Sequence, residues 1–186
     1  DCASQCLPEL ELRQMVGDLQ KMAVDEADDY QKRSCFHLVE SLAKQLKDAK
    51  LFEETSLANW GKLSTAAQID LARVYFESDE LESSLEWLEK IPADEYFQRS
   101  EKEALLLEIY RKQGKTEEVQ VILYRKFRSY RCLDYLENLL EVIGESKRAE
   151  LLAEELELID QDENLNLTNA EFLVAIDKLS EAEAYL

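Results

Sequence analysis

The sequence predicts an all-α fold of stacked, antiparallel helical hairpins, and three observations carry that expectation. Turn-forming residues are scarce, with 4 Gly and 2 Pro in 186 residues, too few for the many tight turns of an all-β protein. Hydrophobic residues make up 46% of the chain, which is enough for a core and argues against wholesale disorder. The stretch "LARVYFESDELESSLEWLEKIP", Leu71 to Pro92, returns in degenerate copies further along. Self-similarity at a period of about 34 residues marks a helical-repeat architecture, in which each hairpin buries its apolar faces against its neighbours.

Residues 1–50 are expected to form an N-terminal helical hairpin. Pro8 suits the first turn of a helix running to about Val24, since its missing N–H costs nothing there. "DEADD", Asp25 to Asp29, breaks that helix and supplies caps. A second helix runs from about Tyr30 to Ala49, with Phe36, Val39, Leu42, Ala43 and Leu46 along one face. Residues 51–63, which include "ANWG", read as a connection in which Trp60 plugs the seam between this hairpin and the helical array.

Residues 64–186 read as about four repeat units. With a shift of 35, Tyr75 falls on Tyr110, Asp79 on Gly114, Ser84 on Val119 and Leu88 on Leu123. Shifts of 30 and 33 then bring Leu140, Gly144 and Ala149, and next Leu173, Asp177 and Ala182, into the same slots. Leu or Tyr at i and i+4 gives the first helix of each unit an apolar stripe. Gly114 and Gly144 stand where the chain reverses and left-handed backbone is needed. Asp79 and Asp177 take the same slot, and a compact residue then faces the partner helix closely. The period and these slots resemble the tetratricopeptide repeat (TPR), which implies a right-handed solenoid. The repeat's Trp slot holds Gln68 and Glu103 instead, and its closing Pro is absent or shifted to Pro92.

The run from "YFESDELESSLEWLEKIP" through "LLLEIYRKQGKTEEVQVILYRKF" and "LLEVIGESKRAELLAEEL" to "LNLTNAEFLVAI" also resembles an uncharacterised bacterial helical-repeat family. Members occur as C-terminal regions, some of them in SWIM zinc-finger proteins. The resemblance implies a fold but no activity or cofactor, and the finger's own Cys and His pattern is absent here.

Charge and cysteine usage bound the function classes. A formal net charge of −19, from 41 acidic and 22 basic residues, repels phosphate backbones and disfavours nucleic acid as a partner. Four irregularly spaced cysteines, Cys2, Cys6, Cys35 and Cys132, suggest free thiols and a cytoplasmic setting rather than disulfide staples. Cys2 and Cys6 share a helix face at i, i+4 but lack the second pair that zinc requires. No membrane span or leader pattern is found. The chain begins with Asp1 and ends within a helical pattern, so a piece of a longer protein is expected, as a monomer or weak homodimer.

Two stretches invite a functional reading. Asp160, Asp162, Asn164, Asn166, Thr168 and Glu171 fall at positions 1, 3, 5, 7, 9 and 12 of a calcium loop, although Leu165 replaces the glycine of its sharp turn. The alternative is an inter-repeat connection, with Thr168 and Glu171 forming a capping box. The second stretch is the only basic island: Arg125, Lys126, Arg128 and Arg131 interleaved with Tyr124, Phe127 and Tyr130, preceded by Arg111, Lys112 and Lys115. Cation and aromatic side chains alternating in this way can grip an anionic peptide or single-stranded nucleic acid. The alternative is that these cations serve a helix C-terminus and pair with nearby glutamates. The lone histidine, His37, points away from Cys35 two residues earlier, so no nucleophilic pair forms there. Consecutive glutamates such as Glu53/Glu54 and Glu154/Glu155 read as solvated faces. A non-catalytic, cofactor-free protein–protein interaction or scaffold module is therefore expected, holding an extended peptide or helix in a groove. Two alternatives stand beside it: a structural arm positioning another domain, and cation binding at the 160–171 loop.

Overall fold

The computed structural model of the chain describes residues 7–93, 95–162, 164 and 166–185. Its regular structure among these residues is eleven α-helices and one 3-10 turn. They fall into two compact units, Asp1–Ile109 and Tyr110–Leu186. Helices α1 (Glu9–Asp25), α2 (Asp29–Leu46), α3 (Ala49–Trp60), α4 (Thr65–Glu77) and α5 (Leu81–Glu89) belong to the first unit. The division falls within α6 (Arg99–Gln113). The second unit holds α7 (Thr116–Ser129), α8 (Leu133–Ile143), α9 (Arg148–Asp160), α10 (Leu167–Ala175) and α11 (Leu179–Tyr185). Packing is mostly between helices adjacent in sequence, which makes antiparallel pairs. No helix among the described residues is long and apolar enough to cross a membrane.

Four of the reversals between helices are built alike. In each, one residue takes positive φ: Lys47 at 53°, Asp79 at 67°, Gly114 at 70° and Asp177 at 59°. The next residue's N–H then reaches back five residues, from Asp48 to the Ala43 carbonyl, Glu80 to Tyr75, Lys115 to Tyr110 and Lys178 to Leu173, at 2.8 to 2.9 Å. A second bond closes each turn at 3.1 Å, as from Asp79 N to Phe76 O. This is the Schellman arrangement, which satisfies the last carbonyls of a helix with a left-handed residue. The expected equivalence of Asp79, Gly114 and Asp177 is thus a shared backbone conformation. Lys47 adds a fourth turn of this type, between α2 and α3, where no repeat unit was expected.

The segment 51–63 requires a correction: most of it lies in α3 and is not a connection. Asp48 caps the helix through Leu51 N at 3.1 Å, and its buried face is Ala49, Phe52, Thr55 and Ser56. Small and hydroxyl-bearing residues occupy the inward positions, so the apolar period is faint in the sequence. The Ser56 hydroxyl remains satisfied by donating to Glu40 Oε1 at 2.9 Å, as a buried polar group must. Trp60 does not plug a seam. It is 48% exposed and lies against α2, its ring 5.6 Å from that of His37 and under the Arg33 guanidinium.

Three clusters make up the core of the first unit. Leu12, Val16, Val39 and Leu42 join α1 to α2. Ala43, Phe52, Leu71, Val74 and Tyr75 join α2, α3 and α4. Ile69, Ala72, Leu88, Leu105 and Ile109 continue the core into α5 and α6. Ser84, fully buried, shows why its slot is small: its hydroxyl donates to Ala72 O across the α4–α5 contact at 2.6 Å.

The third expected unit departs from the pattern. Gly144 has φ 97° and ψ 140°, outside the left-handed helical well, and a 3-10 turn, Glu145–Lys147, precedes α9. Ala149 is exposed, so it does not fill the small slot that Ser84, Val119 and Ala182 fill. The buried residues of α9 are Leu151, Glu155 and Ile159. They match Val119, Leu123 and Phe127 of α7 with a shift of 32 instead of 30; the extra turn absorbs the difference.

A Cβ on Gly114 would meet no heavy atom within 4 Å, so the cost of Gly114→Ala is conformational alone. Chemical denaturation is expected to show a loss of about 1 kcal/mol. Lys47→Gly is expected to gain about 0.5 kcal/mol, as relief of the left-handed side chain exceeds the added chain entropy.

Candidate functional site

The basic island lies on α7 and the residues just after it, all within the second unit. Apolar Val119, Ile122, Leu123 and Phe127 fix one face of α7 inward, and the Phe127 ring meets Phe172 of α10 edge-on at 5.5 Å. Tyr124, Arg125 and Arg128 are thereby turned outward. The Arg128 guanidinium lies 5.6 Å over the Tyr124 ring, and Lys126 lies 5.5 Å over that of Tyr135.

Two of the expected binding cations are held by the chain's own acids. Arg128 donates from Nε to Glu155 Oε1 at 2.7 Å and from Nη2 to Glu154 Oε1 at 2.6 Å. Arg131 donates from Nε to Glu155 Oε2 at 2.9 Å and from Nη1 to Asn169 Oδ1 at 3.0 Å. Glu155 is 0% exposed, so one fully buried carboxylate is gripped on both oxygens by two guanidinium groups. The hydrogen bond that Arg128 donates to Glu155, with a smaller contribution from Glu154, raises the Arg128 pKa above its ordinary value. Glu154/Glu155 is therefore not a solvated pair. Glu155 occupies the core position that an apolar residue holds on α7, and only Glu154 faces solvent. Glu53 is likewise engaged, accepting from the Tyr75 hydroxyl.

The network continues to the end of the unit. Asn169, 1% exposed, donates from Nδ2 to the Tyr185 hydroxyl at 3.2 Å. That hydroxyl also accepts from Asn166 N at 3.0 Å and donates to the Asn164 carbonyl at 2.9 Å. Arg131, Glu155, Asn169 and Tyr185 thus tie the end of α7 to α9, α10 and α11.

Arg125 stays on α7 with Arg128, and the cations preceding the island lie elsewhere on the unit. Arg111 and Lys112 sit in the last turn of α6. Lys115 precedes α7, its ammonium 5.6 Å over the Tyr110 ring. Arg111 and Lys115 line a cleft of about 180 Å³ with Val119 and Val142, in which neither Arg128 nor Arg131 takes part.

Described residues of the 160–171 segment serve the ends of α9 and α10. Asp160 ends α9. Asp162 accepts from Asn164 N at 3.0 Å, and Asn166 caps α10 through Thr168 N at 3.0 Å. The expected cap, Thr168, instead lies inside α10, and Glu171 is exposed. Leu165, like Cys2 and Cys6, lies outside the described residues. Among the described residues no group of three or more His, Cys, Asp or Glu side chains is placed to hold a metal ion. Cys35 is buried and His37 exposed; His37 meets Glu40 at 3.1 Å.

A feature missed in the sequence lies beside this segment, a cavity of about 560 Å³ between α9, α10 and α11. Its apolar lining is Leu156, Ile159, Leu173, Ala184 and Tyr185. Its charged lining is Glu157, Asp160, Asp162 and Glu181. Glu181, held by its own backbone N–H and then by Lys178, has a pKa below the ordinary carboxylate value. Comparison of the chain with protein-family models, curated proteins and solved structures finds no match.

Removing one partner from a buried ion pair strands the other charge. Urea denaturation of Glu155→Ala is therefore expected to show a loss of about 3 to 5 kcal/mol. Glu154→Ala, whose ion pair with Arg128 is exposed, should change stability by no more than about 1 kcal/mol.

Proposed function

We propose that the chain is a non-catalytic protein–protein interaction module built from TPR-like hairpins, one that holds a segment of a partner between helices. The observation that carries this reading is the α9–α11 cavity. Its volume of about 560 Å³ lies in the range of clefts that hold ligands, about 300 to 1,000 Å³. Helices supply its floor and walls, as in recognition of a peptide or helix by a groove. The shared left-handed turn at Asp79, Gly114 and Asp177 supports the TPR-like assignment. It also supports, as a proposal, kinship with the bacterial helical-repeat family and a right-handed array.

This reading favours the cavity over the Arg128 end of the basic island as the docking surface. An acidic peptide at Arg128 would have to displace Glu154 and compete with Glu155, both already within 2.7 Å. At the cavity, Glu181 pairs with Lys178 at 3.3 Å, with both side chains close to half exposed.

Ala184 is exposed on the cavity wall, so Ala184→Trp fills the space from its edge. A random-peptide library selected on the wild-type chain is expected to yield binders at least about ten-fold weaker on Ala184→Trp, with stability changed by no more than about 0.5 kcal/mol. A library whose binders all ignore the substitution contradicts the assignment.

A further inference from the structure

We infer that the α9–α11 cavity takes a basic amphipathic segment of a partner protein, an inference that rests on the interaction reading above. The charge of the surroundings selects this occupant. From Ala149 to Leu186 the sequence holds eleven acidic residues and a single basic one, Lys178. Four of those carboxylates, Glu157, Asp160, Asp162 and Glu181, line the cavity itself. They come from α9, the segment after it, and α11, so negative charge surrounds an apolar floor on more than one side. Clefts lined by one sign of charge focus the field and raise the local concentration of the opposite charge.

The apolar part of the site selects against a bare cation. Leu156, Ala184 and Tyr185, over the buried Ile159 and Leu173, provide the accessible apolar surface that gains from burial of aliphatic or aromatic side chains. Lysine and arginine satisfy both requirements, because their methylene stems lie along apolar surface while the charged heads reach the carboxylates. A helix or extended peptide carrying leucines and lysines at helical spacing fits this pattern, whereas an acidic one meets repulsion on the rim. The local competitor is Lys178, whose ammonium stands 3.3 Å from Glu181 with both side chains close to half exposed. That exposed pair yields readily to an incoming cation.

A second copy of the chain is the other occupant, which the test separates. Two peptides of one length and identical leucine positions, one with lysine and one with glutamate at every polar position, are titrated by fluorescence anisotropy onto the full chain at low salt. The lysine peptide is expected to bind at least about ten-fold tighter than the glutamate peptide, with the preference shrinking in 0.5 M salt. Replacing both Glu157 and Glu181 by Gln is expected to weaken the lysine peptide about five-fold, and Ala184→Trp to weaken it further.

Equal binding of the two peptides, both lost in Ala184→Trp, overturns the charge inference and leaves the interaction reading standing. Absence of binding by either peptide overturns both. Lysine-peptide binding that ignores all three substitutions places the contact elsewhere and overturns the inference. So does sedimentation of the chain as a dimer that Glu181→Lys disperses, since a second copy then covers the cavity.

Discussion

A carboxylate shut off from water has to be answered by charge, and in the C-terminal unit that requirement decides which side chains remain available for anything else. Glu155 stands on the buried stripe of α9 between Leu151 and Ile159. Desolvating it alone would cost several kcal/mol. Arg128 and Arg131 answer both of its oxygens, and Asn169 passes the connection from Arg131 to Tyr185. One acid in a core position therefore commits two cations at the end of α7, a buried amide on α10 and a hydroxyl on α11. Two cations of what looks in the sequence like a binding strip, Arg128 and Arg131, are thus partners in a buried ion pair. The surface left open beside it is acidic.

Elsewhere the architecture depends on a backbone constraint. Helices of nine to eighteen residues reverse through a single left-handed residue, and the same pair of hydrogen bonds closes each of four turns. Such a turn is short and directional, so it sets the following helix antiparallel to the last and brings their apolar stripes together. Where the left-handed residue is missing, at Gly144, a 3-10 turn intervenes and the next helix shifts its buried face by two residues. That shift is what carries Glu155 into a core position.

The helical class and most hairpins were legible in the sequence because leucine and tyrosine recur at i and i+4 and the copies return at shifts of 35, 30 and 33. Asp79 and Asp177 could be placed opposite Gly114 because aspartate tolerates left-handed backbone. Lys47 could not, since nothing in lysine's chemistry announces a turn. Helix α3 was hidden because its inward face is made of Ala49, Thr55 and Ser56, with Phe52 as its one large side chain. The role of Glu155 had one available signal: a charged residue at i+4 from Leu151 and i−4 from Ile159. A charge on an apolar stripe is either misread periodicity or a buried pair. The cavity had no signal, because it depends on how three helices meet and not on any run of residues.

On the proposed reading, the recognition chemistry lies in the last three helices. That account depends on the basic island being internal structure, and a double-mutant cycle between Arg131 and Glu155 in urea tests it most directly. Full commitment of Arg131 to Glu155 predicts a coupling energy of about 2 kcal/mol or more, in line with close, buried charge pairs. A coupling below about 0.5 kcal/mol, the level of independent sites, would contradict it and return the basic island to the surface as a site for an acidic partner.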